Sequence, residues 1–164
     1  MQRLDLSYVS SIAARAQTGD SNAFAELYAA TCQKEYALAA ALLKDNELAR
    51  DVLLKTFTAA LNGISRLGDP SLVITWLNRL NIEACEKIER GNESSALPDI
   101  IRINGRMYTR GQLMSLPMTE AQTLLFRYGC DFGIGKIASY MEMKRREVRR
   151  YMHSGVKRLE KLSV

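Results

Sequence analysis

The stretch IGKIASYMEMKRREVRRYMHSGVKRLEKL, residues Ile134 to Leu162, divides into a short apolar period, a connection of four residues and a long basic period. Ile134, Ile137, Ala138 and Met141 fall at i, i+3, i+4 and i+7, which places them on one face of a helix. Beyond Glu142-Met143 a second pattern runs Val148, Met152, Val156, Leu159 and Leu162, at steps of four, four, three and three. Lys144, Arg145, Arg146, Arg149, Arg150, Lys157, Arg158 and Lys161 fill the positions between. Small Ala138 allows close approach of the two helices, and Val148 supplies the matching buried contact. This is the packing logic of a helix-turn-helix, whose second helix enters the major groove of DNA. At the turn position that usually takes Gly for its positive φ, this chain has Glu142. A basic amphipathic helix also suits a membrane surface or an acidic protein, which is the alternative use of such a face.

Charge outside this stretch sharpens the point. Residues 1 to 90 carry 10 Lys and Arg against 11 Asp and Glu, residues 91 to 110 carry 3 against 2, and residues 111 to 164 carry 10 against 5. The net charge of +5 therefore lives in the last third, where a polyanion partner is expected. With 164 residues and 47% hydrophobic content, the chain has enough material for one or two small cores. Cys32, Cys85 and Cys130 are odd in number and scattered, without a CxxC, and read as reduced, buried small hydrophobes. No long uncharged apolar run exists, and a start containing Arg3 and Asp5 is unlike a signal peptide, so a soluble cytoplasmic protein without membrane insertion is expected.

Upstream, the pattern is helical as far as Gly91. Tyr8 or Val9, Ile12, Ala13 and Ala16 begin one amphipathic helix that stops at Thr18-Gly19. Asp20 or Ser21 caps a long second helix through Phe24, Leu27, Tyr28, Leu38 and Leu42, ending near Lys44. Asp45 caps a third, with Ala49, Val52, Leu53, Thr56 and Ala60 on its apolar face. Asp69-Pro70 starts a fourth, with Val73, Trp76, Leu77, Leu80, Ala84 and Ile88 at helical spacing. Gly91-Asn92-Glu93-Ser94-Ser95 breaks the pattern, so the boundary falls there. The expected architecture is all-α: a four-helix N-terminal domain over 1–90, a linker over 91–112 and a helix-turn-helix domain over 113–164. Within the linker, Asn104-Gly105 between alternating residues is a hairpin signature. A lone hairpin is marginal in water, which leaves irregular linker as the alternative. Thr119 to Tyr128 should form a helix ahead of the helix-turn-helix.

The order of these landmarks resembles a small two-domain bacterial sigma factor of the extracytoplasmic-function type. The residues that carry the likeness are Asp20-Ser21-Asn22-Ala23-Phe24-Ala25-Glu26-Leu27-Tyr28, then Ala49-Arg50-Asp51-Val52-Leu53-Leu54-Lys55-Thr56-Phe57, then Trp76-Leu77, then Leu116-Pro117 and the motif ending in Val148. The resemblance spans residues 20 to 162. It implies a polymerase-guiding protein: a first domain that docks on core RNA polymerase and captures an unpaired promoter base, and a second that reads the upstream element of double-stranded promoter DNA. An anti-sigma factor is a usual partner in that family.

Specific residues follow from the two readings together. Asp51, Leu54, Lys55 and Thr58 lie at i, i+3, i+4 and i+7 opposite the apolar face of the third helix, where the family contacts polymerase. The family commonly has Gln-Glu where this chain has Leu54-Lys55. In the C-terminal part Lys136, Lys144, Arg145, Arg146, Arg149, Arg150, His153 and Lys157 are the expected DNA contacts. An Arg paired bidentately with guanine contributes roughly 1 to 3 kcal/mol of discrimination. On the fourth helix the family usually has Asn seven residues after the Trp, and this chain has Glu83, flanked by Ile82, Glu86 and Glu89. A carboxylate close to a phosphate is repulsive by about 1 kcal/mol in water. Arg79, Lys87 and Arg90 are either phosphate contacts or partners of those acids. A sigma-like DNA-binding regulator or adaptor without promoter melting is therefore the alternative to an initiating sigma factor. His153 is the single histidine, and no nucleophile set, metal motif or phosphate loop can be assembled, so neither catalysis nor a cofactor is expected.

Overall fold

The computed structural model describes residues 3–89 and 97–162. Arg90 and the breaker segment from Gly91 to Ser95 lie outside the described residues, as does the side chain of Glu89. The chain divides into two compact units, Met1–Ser94 and Ser95–Val164.

The first unit is four helices: α1 (Leu6–Gln17), α2 (Ser21–Leu43), α3 (Asn46–Gly63) and α4 (Val73–Glu89). Aspartates set three of the starts. Asp5 accepts from Ser7 N and Tyr8 N, Asp20 from Ala23 N, and Asp45 from Glu47 N and Leu48 N. Each satisfies amide groups that a helix start leaves without partners. Asp69 does the same for Ser71 N, but it opens a 3-10 turn, Pro70–Leu72, that leads into α4. The backbone hydrogen bond from Ala23, then the Arg15 guanidinium, hold the Asp20 carboxyl below its ordinary range. At its far end α2 stops on Lys44 in the left-handed conformation, φ 54°.

The apolar faces meet in two clusters. Val9, Ile12, Ala13, Leu27, Phe57, Ala60 and Leu77 form the larger, with Trp76 half-buried against it. Ala39, Ala49, Val52, Ala84 and Cys85 form the smaller. Glu35 on α2 lies in the interior at 1% exposure, where Asn81 of α4 donates to its Oε2 at 2.8 Å. Ile82 also belongs to the core at 3% exposure, so of the sequence around Glu83 it is not part of an exposed face.

The second unit opens with an antiparallel hairpin, β1 (Ile100–Ile103) and β2 (Arg106–Thr109), in the register Ile101 to Tyr108 and Ile103 to Arg106. Asn104 and Gly105 both take positive φ, 50° and 80°, as a two-residue type I′ turn demands. The hairpin, not an irregular linker, is what forms. It is stable because Ile101, Ile103 and Tyr108 are buried within the unit. A capping box between Thr109 and Gln112 starts the short α5 (Arg110–Met114). Then come α6 (Met118–Leu124), a wide π turn over Leu125–Gly129, α7 (Ile134–Tyr140) and α8 (Arg145–Leu162). The helix expected from Thr119 to Tyr128 is thus α6 with a widened last turn. Phe126, Phe132 and Tyr140 pack with ring centroids 5.5 to 6.0 Å apart and tie α7 to that turn.

None of the three cysteines forms a disulfide bond. Cys85 is buried as expected, whereas Cys32 and Cys130 are only half-buried. No described helix is long and apolar enough to cross a membrane.

Candidate nucleic-acid interface

The helix-turn-helix is built by α7, α8 and the four residues between them. Met141 N donates to Ile137 O and Met143 N to Ala138 O, each at 2.9 Å, closing the turn. Glu142 has φ 54°, so the position where Gly is usual does take the left-handed conformation, here on a residue with a Cβ. Lys144 starts α8: its N–H donates to the Glu147 carboxylate at 2.7 Å, and its carbonyl accepts from Val148 N. Ala138 and Val148 are both buried, at 9% and 0% exposure, as their spacing requires.

Packing fixes which side of α8 is free. Val148, Gly155 and Leu159 are buried against the unit. A methyl group on Gly155 would stand 2.8 Å from Leu124 Cδ1, so α8 approaches α6 as closely as the absence of a side chain permits. On one flank Ser154 Oγ donates to Glu120 Oε1 at 2.6 Å, and Arg158 Nε lies 3.1 Å from Glu120 Oε2. Arg158 is therefore committed to holding α8 on α6.

With successive residues turned by about 100°, Arg146, Arg150, His153 and Lys157 form one stripe on the side away from the buried residues. All four are exposed, and Arg149 borders the stripe. Among the described residues, none of these five forms an ion pair. Arg150 lies 5.2 Å from the Tyr151 ring, which orients the guanidinium without neutralising it. The remaining expected contacts sit apart from the stripe. Arg145 is exposed but its guanidinium lies against Gly135 of α7. Lys136 stacks its ammonium over Phe132 at 4.0 Å from the ring centroid. Lys144 is exposed at the start of α8.

In the first unit, Asp51, Leu54, Lys55 and Thr58 are all exposed on α3. Leu54 is 71% exposed, and Leu61, two turns on along the same face, is 59% exposed. Tyr28 of α2 extends this apolar strip, its ring packed edge-on to Phe57 at 4.7 Å. Leu61 escaped the sequence pattern, though at i+7 from Leu54 it could have been found by continuing that pattern one step; Tyr28 groups by spacing with the apolar residues of α2 and is instead 44% exposed. The Thr58 hydroxyl donates to Leu54 O at 2.8 Å. Lys55 instead lines a groove of about 170 Å³ with Leu80, Glu83 and Lys87 of α4. Arg79 and Glu83 pair one turn apart at 3.2 Å, so Arg79 balances the acid that follows it. Among the described residues no cluster of three His, Cys, Asp or Glu side chains is placed to hold a metal ion.

Together these features define a two-unit, all-α protein whose second unit carries a helix-turn-helix with a free basic face. No protein-family model matches the chain, and no curated protein matches it. Ten chains of solved structures do, among them that of CnrH in complex with the cytosolic domain of CnrY. CnrH is 17% identical, the match covers 94% of this chain and 96% of that one, and the TM-score is 0.49.

Proposed function

We propose that this chain is a sigma-type initiation factor, which guides core RNA polymerase to promoters through α3 and reads the upstream promoter element with α8. The observation that carries this reading is the stripe of Arg146, Arg150, His153 and Lys157, exposed on the second helix of a helix-turn-helix and balanced by no described carboxylate. Four positive or hydrogen-bonding groups in line along a helix suit a groove lined by phosphates and base edges. Lys144 at the helix start and Lys136 on α7 extend the positive region toward the flanking backbone. Arg145 and Arg149 contribute charge from the other border.

The exposed Leu54 and Leu61, with Asp51 and Thr58 beside them, supply the polymerase-facing surface in this reading. A large apolar side chain ringed by polar groups is the usual form of an interface anchor. The test is association of the purified chain with purified bacterial core polymerase. Leu54→Glu should weaken binding tenfold or more with no loss of thermal stability, since Leu54 supports nothing in the core. Absence of any association between the wild-type chain and core polymerase would overturn the reading.

One observation favours a second function, that of a sigma-like regulator that binds DNA without opening it. Glu83 stands where strand capture would need a neutral or basic group, and it engages Arg79. A chain of that kind would bind core polymerase or DNA and yield no new transcription start sites. An anti-sigma factor covering the α3 surface is compatible with either function.

A further inference from the structure

The hairpin that opens the second unit does more than connect. Its buried face, Ile101, Ile103 and Tyr108, fixes it to the body of the unit; Arg102, opposite Met107, lies on the outward face, and Arg106, opposite Ile103, is exposed at the turn end of the inner face. Both arginines are exposed, and among the described residues neither forms an ion pair. The hairpin tip comes to the middle of α8. Asn104 shares a recess of about 230 Å³ with Tyr128 and with Arg149, Met152, His153 and Val156 of α8. Arg149 and His153 are the residues of that wall that border or belong to the free basic stripe.

The nearby acids are mostly engaged elsewhere. Asp99 pairs with Arg110 at 2.7 Å, Glu120 with Arg158, and Glu147 caps Lys144. Glu142 is buried at 3% exposure, Asp131 is exposed beyond the π turn, and Glu160 lies two turns beyond His153 on α8. Cationic groups therefore stand on both sides of the recess: Arg149 and the stripe on the α8 side, Arg102 and Arg106 on the hairpin.

We propose that the β1–β2 hairpin is a second DNA-contacting element: Arg102 and Arg106 bind backbone phosphates beside the groove that α8 enters, and the recess between Asn104 and Arg149–His153 seats one phosphate. The proposal rests on the reading of α8 as a binder of double-stranded DNA. Asn104 offers an amide donor, Tyr128 a phenol and the two α8 residues positive or hydrogen-bonding groups, a donor set that matches phosphate oxygens. Such contacts fix the position of the protein on the duplex and carry no sequence information.

The test uses the full chain and a fluorescently labelled duplex of about 30 base pairs, with affinity measured by anisotropy across a series of salt concentrations. Each phosphate contact contributes roughly 0.9 to the slope of log affinity against log salt. The double variant Arg102→Gln/Arg106→Gln should lower that slope by about 1 to 2 and weaken binding equally for two duplexes of unrelated sequence. Asn104→Asp keeps a residue suited to the turn but puts a carboxylate into the recess, and should weaken binding several-fold at low salt. Arg146→Gln/Arg150→Gln reports on α8 itself. If that variant weakens binding while both hairpin variants, folded by circular dichroism, keep the wild-type slope and affinity, the hairpin proposal is wrong and the α8 reading stands. If the wild-type chain binds neither duplex, the α8 reading falls and the hairpin proposal falls with it.

Discussion

Asn81 on α4 donates from one amide nitrogen to both the backbone carbonyl and the side-chain Oε2 of Glu35 on α2, at 2.7 and 2.8 Å. This pair, 46 residues apart in sequence, joins two helices through the interior of the first unit. Burial of Glu35 pushes its carboxyl up to about 8, against the smaller opposing effects of the Asn81 hydrogen bond and the neighbouring Lys34. The acid is thus neutral when folded at pH 7, whereas in the unfolded chain it ionises near 4.5. Its contribution to stability is fully present below pH 4.5 and is lost as pH rises through about 8. The loss is at most roughly 1.4 kcal/mol per pH unit in that window. Chemical denaturation of the wild-type chain should show this decline between pH 5 and 8. Glu35→Gln, which keeps the shape and stays neutral, should flatten it and be the more stable protein at pH 8.

Lys44 closes α2 in a left-handed conformation that glycine adopts without steric cost. Its side chain is exposed, so nothing in the core depends on it. Lys44→Gly should raise the stability of the first unit by about 0.5 to 1 kcal/mol. Urea denaturation monitored through Trp76 would report it.

Gly155 should behave in the opposite way. On an exposed helix Gly→Ala is stabilising by about 1 kcal/mol. Here the added methyl meets Leu124 Cδ1 at 2.8 Å and Glu120 Cβ at 3.3 Å, with Leu124 fully buried and its neighbours closely packed. Overpacking of this kind costs about 1 to 3 kcal/mol. Gly155→Ala should therefore lower the melting temperature of the second unit; a higher one would show that α8 and α6 can separate freely.

Arg158 and Arg150 lie two turns apart on one basic helix and should respond differently to loss of charge. Arg158→Ala leaves the buried Glu120 carboxylate with Ser154 as its remaining side-chain partner, and should destabilise the second unit by about 2 kcal/mol. Arg150→Ala should leave stability within about 0.5 kcal/mol of wild type, as surface changes do, and weaken DNA binding. Melting curves and duplex affinities measured on both variants separate the two roles.

Much of this organisation was legible in the sequence because it is local. The periods of α7 and α8, the small Ala138 and the apolar Val148 define the helix-turn-helix within 15 residues. Asp20 and Asp45 declare their helices by standing just ahead of them. The Asn104-Gly105 pair left a hairpin and an irregular linker both open, and gave no sign that the hairpin would lie beside α8, because both outcomes depend on the burial of Ile101, Ile103 and Tyr108. Nor does any short-range signal reveal Glu35 with Asn81 or Glu120 with Arg158, pairs brought together only by packing. Periodicity separated the free basic residues from the apolar face, yet it could not distinguish Arg158, held by Glu120, from Arg150, which faces solvent.

The central claim is that this chain directs polymerase to defined start sites. In vitro transcription with purified bacterial core polymerase and supercoiled genomic DNA from the same source tests it most directly, with RNA 5′ ends mapped in the presence and absence of the protein. The expected result is a set of discrete start sites that depend on the wild-type chain and disappear when Arg149 and Arg150 are both changed to Glu. No new start sites, despite measured binding to core polymerase or duplex DNA, would contradict an initiating role and leave a regulator that does not open DNA.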